Sequence, residues 1–234
     1  MEQLRIDYKN AEREWDASNF AKPFRSALKD FKDQNQHRRH IAICLALGRL
    51  SHSPSETRES EEERNRSLLQ LAAFDDAASI LVPGKRRIVQ DPDFPDLDKT
   101  FLNEDMGYEV VEDPSAFGEI AEEAFVFMPF MPRDVISASQ KKLFSCWVPV
   151  ANDLKEVYES PKKDVKNLKE RYGAVWDEGL KKNAELVIEE YQKGYDAFLK
   201  KWENWRTSIP EHELIYPGLH ILPSAMEGLM IYQF

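Results

Sequence analysis

The sequence predicts an α/β fold built on a mostly parallel sheet, and three observations carry that prediction. Residues 41–47 form an unbroken apolar run of β-branched and small residues without polar alternation, as in a central strand buried on both faces. The run stops at Leu47-Gly48-Arg49 and gives way to a polar stretch and then a helix, the order that opens a βαβ unit. The same strand–turn–helix–strand order recurs through residues 40–130, which calls for parallel strands joined by right-handed crossovers. Ligands in such sheets gather at the carboxyl ends of the strands, so Gly48 marks the expected mouth of a site.

Residues 1–39 read as helical. Phe20, Phe24, Leu28 and Phe31 share one helix face, which is expected to lie across the sheet and feed the first strand. His37-Arg38-Arg39-His40 is either an anion contact or, more plainly, a solvated strand entrance. Residues 51–66, SHSPSETRESEEERNR, are almost devoid of apolar side chains and read as a mobile insertion. Its serines are candidate phosphorylation sites, with Arg58, Arg64 and Arg66 as phosphate clasps, weighed against a plain solvated loop. Asn65 or Ser67 is then expected to cap a helix carrying Leu68, Leu69, Leu71, Phe74 and Leu81, stopped by Pro83-Gly84.

A second strand is expected at 87–90, running into Asp91-Pro92-Asp93-Phe94. Pro95-Asp96-Leu97-Asp98 reads as a helix first turn, its acids favourably placed against the dipole. Strands at 108–111 and 124–128 follow, ending at Asp113-Pro114 and Pro129. Residues 135–147 read as a helix that Trp147-Val148-Pro149-Val150 breaks. Residues 163–206 form a long amphipathic pattern with an aromatic stripe that includes Tyr191, Tyr195, Phe198 and Trp202. Residues 229–234 read as a short strand at a sheet edge. The expected organisation is a single domain over 1–234, with an N-terminal helical region (1–39), a core (40–136) and a helical region with a terminal strand (137–234).

Composition narrows the function classes. The 234 residues are 42% hydrophobic and 11% aromatic, enough for a sizeable core. A net charge of −10 disfavours a nucleic-acid surface, which wants clustered Lys and Arg. The two cysteines, Cys44 and Cys146, make no disulfide framework, and Cys44 falls inside the buried strand. No apolar run approaches the roughly 20 residues of a membrane span, and Met1-Glu2-Gln3-Leu4 begins polar rather than as a signal peptide. A soluble protein of the cytoplasm or nucleus is expected.

The ordered series IAICLALGRLS, LLQLAAF, IVQDPDFPDLDKTFLNEDMGYEVVEDPSAF and AFVFMPFMPRDVI resembles the sensitivity-to-red-light-reduced (SRR-like) domain family in its fungal-type form. The likeness rests on Leu47-Gly48, Asp91-Pro92-Asp93-Phe94, Met106-Gly107-Tyr108 and Phe127-Met128-Pro129, with residues 228–234 matching a terminal hydrophobic strand. It implies a Rossmann-like three-layer sandwich with a long helical C-terminal region, in a family linked to regulation, light signalling and circadian control without a settled catalytic mechanism. Many members follow the fourth-strand Pro with His and then Cys. This chain has Pro129-Phe130-Met131, so metal or haem ligation or acid–base work resting on that pair has no counterpart here.

Candidate site residues are those at the strand ends: Gly48, Arg49, Asp91, Asp93, Asp113, Pro129 and Met131. A carboxylate such as Asp91 or Asp93 at the tip of a second strand has acceptor sites for the two hydroxyls of a ribose diol. The plainer role is Asp-Pro as a turn initiator and Asp93 or Asp96 as a helix cap. The first loop holds a single glycine where a dinucleotide fingerprint wants three. Three carboxylates near one edge suit a cation, yet their spacing identifies no metal site. Met128, Phe130 and Met131 either line an apolar pocket or fill the core. No catalytic constellation and no cofactor can be named. The leading expectation is a regulatory or small-ligand-binding protein. The alternatives are a transferase using S-adenosylmethionine or a nucleotide, and a protein-interaction module using the 163–206 helix.

Overall fold

A computed structural model of the chain describes residues 1–34, 40–53, 55, 57–129, 131, 135, 142, 148–152, 182, 186 and 229–231. Helices α1 (Glu2–Ala17) and α2 (Ala21–Gln34) precede strand β1 (Ile41–Leu45), helix α3 (Arg58–Leu81) and strand β2 (Arg86–Gln90). Helix α4 (Asp96–Thr100) continues as one π-helical turn, Phe101–Asp105, closed by the Met106 N–H donating to Phe101 O at 3.2 Å. Strands β3 (Glu109–Val110), β4 (Ala124–Met128), β5 (Val148–Asn152) and β6 (Leu229–Ile231) complete the sheet. Its order is β3-β2-β1-β4-β5-β6, parallel throughout except for β6, which pairs antiparallel with β5 at the edge. The order reverses between β1 and β4, so the chain builds one side of β1 before it crosses to the other.

Every residue of β1 and of β4 is buried. Ala42, Cys44, Phe125 and Phe127 join the cluster that packs against α3. The alternate residues Ile43, Leu45, Val126 and Met128 are buried as well, so the centre of the sheet is covered on both faces. Phe74 of α3 anchors the first of these faces, with ring centroids 5.8 Å from Tyr108, 6.1 Å from Phe125 and 5.9 Å from Phe127.

The N-terminal region is two helices rather than one. The chain turns at Ser18, whose hydroxyl accepts the Ala21 N–H at 3.1 Å and starts α2. Phe20, Phe24 and Leu28 are buried as their spacing predicts, but α1 and α2 pack mainly on α3 rather than lying across the strands. That layering explains why α3 is buried on every side over Ser67–Phe74: the sheet lies beneath it and the two N-terminal helices above.

The expected mobile insertion shrinks, because residues 58–66 are helical and the cap is neither Asn65 nor Ser67. Thr57 caps α3, its hydroxyl accepting the Ser60 N–H at 3.2 Å while Ser60 Oγ takes the Thr57 N–H at 2.7 Å. The capping box is concealed because Ser stands where Glu or Gln usually does. The polar stretch is rich in Glu and Arg, good helix formers whose low hydrophobicity mimics a disordered tail. The expected break at 147–150 is strand β5. Pro149 is tolerated there because it pairs with Val126 of β4 at a position beyond the β5–β6 ladder, which begins only at Val150. The 163–206 pattern with its aromatic stripe, His37, Arg38 and Arg39 of the basic cluster, and Phe130 lie outside the described residues, apart from helical Lys182 and Leu186.

Candidate functional site

Two aspartates and one glycine shape the ground beyond β1. Leaving the strand, Ala46 takes a left-handed φ of 54° and Gly48 one of 82°. An L side chain in that region costs about 1–2 kcal/mol, which Gly48 avoids and Ala46 does not. Gly48 is also close-packed: a Cβ there would sit 2.7 Å from Ser67 Oγ on α3. The turn therefore presses its backbone onto the helix, and only glycine satisfies both demands.

Two backbone donors of this turn, the Gly48 and Leu50 N–H groups, are taken by the protein's own carboxylates. Gly48 N–H donates to Asp91 Oδ2 at 2.7 Å, and Asp93 N–H donates to Asp91 Oδ1 at 2.8 Å. Leu50 N–H donates to Asp98 Oδ2 at 2.8 Å. Asp98 is 0% exposed, with Ser51 buried beside it. Burial pushes the Asp98 carboxyl above its ordinary value, while the Leu50 N–H, the neighbouring Ser51 and the Arg49 charge pull it back. Asp91 shows the same conflict: burial raises it, and the Asp93 and Gly48 N–H groups oppose. In a dinucleotide turn the equivalent amides are left open for pyrophosphate. Here those of Gly48 and Leu50 are occupied.

These contacts fix one wall of a cavity of about 840 Å³ at the carboxyl ends of the strands. Gly48, Arg49, Asp91, Asp93, Asp113 and Met131 all line it. Pro129 is buried and is not part of the lining, and Met128 is 1% exposed within the core. Gln90 positions Asp113 by donating Nε2–H to Oδ1 at 2.7 Å, and its own Oε1 accepts the Ala116 N–H at 2.7 Å. Asp113 precedes a cis Pro114. Helix α3 forms the opposite wall with Thr57, Ser60, Glu63, Arg64, Arg66, Ser67 and Gln70. Arg64, 5% exposed, is held by Asp7 Oδ2 at 3.2 Å and lies 3.2 Å from His52 Nε2. Arg49 is exposed and donates Nε–H to Ser51 O at 3.1 Å.

Sequence reasoning named Arg64 and Arg66 only as clasps for a phosphorylated loop and did not place them with Ser60, Ser67 and Gln70 on one wall, because these residues line up only once the helix is known to start after Thr57. It also missed Asp98, which reads locally as a first-turn acid but acts on a loop 48 residues earlier in the chain. Chemically the cavity is mixed, with hydroxyls, guanidiniums and carboxylates facing an apolar floor that includes Leu45, Leu47 and Phe117. Ser67 Oγ donates to Glu63 O at 3.1 Å, which uses its proton. Cys44 is wholly buried, and burial with the nearby Asp91 charge pushes its thiol well up, against any role as a nucleophile. No group of three or more His, Cys, Asp or Glu among the described residues is arranged to hold a metal ion.

A model of the SRR1 domain matches residues 20–209, most of the chain and every strand of the sheet except β6. The chain belongs to the SRR1 domain family. The match spans the α3 wall and the Asp91–Asp98 clasp together, so both are parts of one SRR1 domain. A search of curated proteins and a search of solved structures each returned no match. No helix among the described residues is long and apolar enough to cross a membrane.

Proposed function

We propose that this SRR1 domain protein is a regulatory, small-ligand-binding protein, Rossmann-like in its layering, whose ligand occupies the cavity between the β1–α3 turn, α3 and the ends of β2 and β3. The observation that carries this reading is the cavity itself. Its volume of about 840 Å³ falls within the 300–1,000 Å³ or so typical of small-molecule sites. It lies at the carboxyl ends of parallel strands, beside a non-glycine residue held at positive φ, and such strain clusters at ligand clamps. The hydroxyls, guanidiniums and carboxylates of its lining suit a ligand that carries hydrogen-bonding groups as well as apolar surface.

The clasp of Gly48 and Leu50 by Asp91 and Asp98 weighs against a pyrophosphate bound to the turn in dinucleotide fashion, because the amides have taken their partners. A thermal-shift screen of the intact chain with adenosylmethionine, adenosine nucleotides and haem tests the reading, since a ligand of the native state raises the melting temperature. Asp93→Trp supplies the control. Asp93 is exposed and lines the cavity, so the indole takes up cavity space at little cost to folding. A shift seen in the wild type and lost in Asp93→Trp supports the proposal; no shift with any compound sinks it.

A further inference from the structure

The two walls of the cavity carry opposite chemistry, and their separation points to a ligand class. The wall from the β1–α3 turn and α3 brings Arg49, Arg64 and Arg66 to the lining, with α3 hydroxyls among them. Arg64 is nine-tenths buried and already oriented by Asp7, a preformed guanidinium rather than a solvated surface arginine. Arg49 spends Nε on Ser51 O, and among the described residues its terminal amino groups make no hydrogen bond to a carboxylate. The wall from the ends of β2 and β3 presents Asp93 and Asp113, both exposed. Asp91 has a backbone N–H on each oxygen, whereas Asp113 has only Oδ1 engaged, by Gln90, so Asp93 and the Asp113 Oδ2 are the acceptors better left for a ligand. Glu63, exposed on α3, is the one carboxylate on the basic wall among the described residues.

Resting on the small-ligand reading above, we infer that the cavity binds a small phosphorylated polyhydroxy compound, such as a sugar phosphate or a nucleoside monophosphate. Its phosphate lies on the guanidiniums of the turn and α3, and its hydroxyls donate to Asp93 and Asp113. Guanidinium groups pair with phosphate oxygens in a bidentate manner, and carboxylates accept from adjacent hydroxyls. Side chains thus do the work that open loop amides do in a dinucleotide turn, which is consistent with those amides being closed by Asp91 and Asp98.

Calorimetric titration of the intact chain tests the assignment with ribose 5-phosphate, adenosine monophosphate, ribose, adenosine and inorganic phosphate. One of the two phosphorylated compounds is expected to bind at least about tenfold more tightly than its unphosphorylated counterpart and than phosphate alone, the scale of one charge-assisted hydrogen-bond pair. Which of the two it is separates a sugar site from a nucleoside site. Arg49→Gln, at an exposed position, is expected to erase that tenfold preference while leaving the weaker binding of the unphosphorylated compound unchanged. Asp93→Asn is expected to weaken the polyhydroxy compounds and leave inorganic phosphate unaffected. Binding of adenosine, adenosylmethionine or haem with no preference for phosphate overturns this inference but leaves the small-ligand reading standing. Absence of binding across this panel and the thermal-shift panel overturns both.

Discussion

Replacing Asp98 tests how the turn beyond β1 is held. Asp98 is fully buried and accepts the N–H of Leu50, itself 0% exposed, at 2.8 Å. Asp98→Ala leaves that buried amide without its acceptor, a loss of about 1–3 kcal/mol, and opens a small void under the turn. A total near 2 kcal/mol corresponds to a melting-temperature drop of about 4–8 °C in a chain of this size. Asp98→Asn keeps an acceptor for Leu50 and removes the charge, so it is expected to stay within about 1 kcal/mol of wild type. The pH dependence separates charge from geometry. Burial raises the Asp98 carboxyl in the folded state, so the native protein holds the proton more tightly than the unfolded chain does. Stability contributed by this group is therefore greatest below the ordinary carboxylate range and declines as pH rises through the raised folded value. Asn has no such proton. The stability of wild type minus that of Asp98→Asn is expected to fall between acid and neutral pH, measured by urea unfolding at each pH. Equal stabilities for Ala and Asn, or a difference that is flat or rising with pH, would refute the reasoning.

Other substitutions probe separate links. Gly48→Ala is expected to cost about 1–2 kcal/mol from the positive φ, with a further loss from the 2.7 Å approach to Ser67 Oγ; adding Ser67→Ala should recover only the second part in a double-mutant cycle. Asp91→Ala removes the acceptor shared by Gly48 and Asp93, so native-state hydrogen exchange at those two amides should accelerate by roughly tenfold or more. Unchanged protection would show that Asp91 does not hold the turn. Phe74→Ala, at the meeting point of Tyr108, Phe125 and Phe127, should destabilise the fold by about 3–5 kcal/mol in chemical denaturation.

Strands β1 and β4 were legible because a strand buried on both faces writes itself as a continuous apolar run, with no competing period. The start of α3 was illegible because its first turns face water. Arg58 and Glu62 pair on the exposed side, and nothing apolar appears before Leu68. Pro149 concealed β5 for a different reason: its fit depends on where the neighbouring ladder ends, a non-local fact. The site divides along the same line. Gly48, Asp91, Asp93 and Asp113 follow from the rule that strand ends gather ligands, and the cavity brings them together. Asp98 and the α3 wall depend on long-range contacts that local pattern does not encode. Pro129 matched the motif but sits in the core rather than at the cavity.

The most direct measurement of the central claim is the ligand-induced melting shift of the intact chain compared with Asp93→Trp, across phosphorylated sugars, adenosine nucleotides, adenosylmethionine and haem. A compound at a hundredfold excess over its dissociation constant adds about 2.7 kcal/mol to native stability, a rise of roughly 5–10 °C for a chain of this length. The account predicts such a rise for at least one compound in the wild type and its loss when the indole fills the cavity. Shifts that survive Asp93→Trp unchanged, or no shift in the wild type at all, would contradict it.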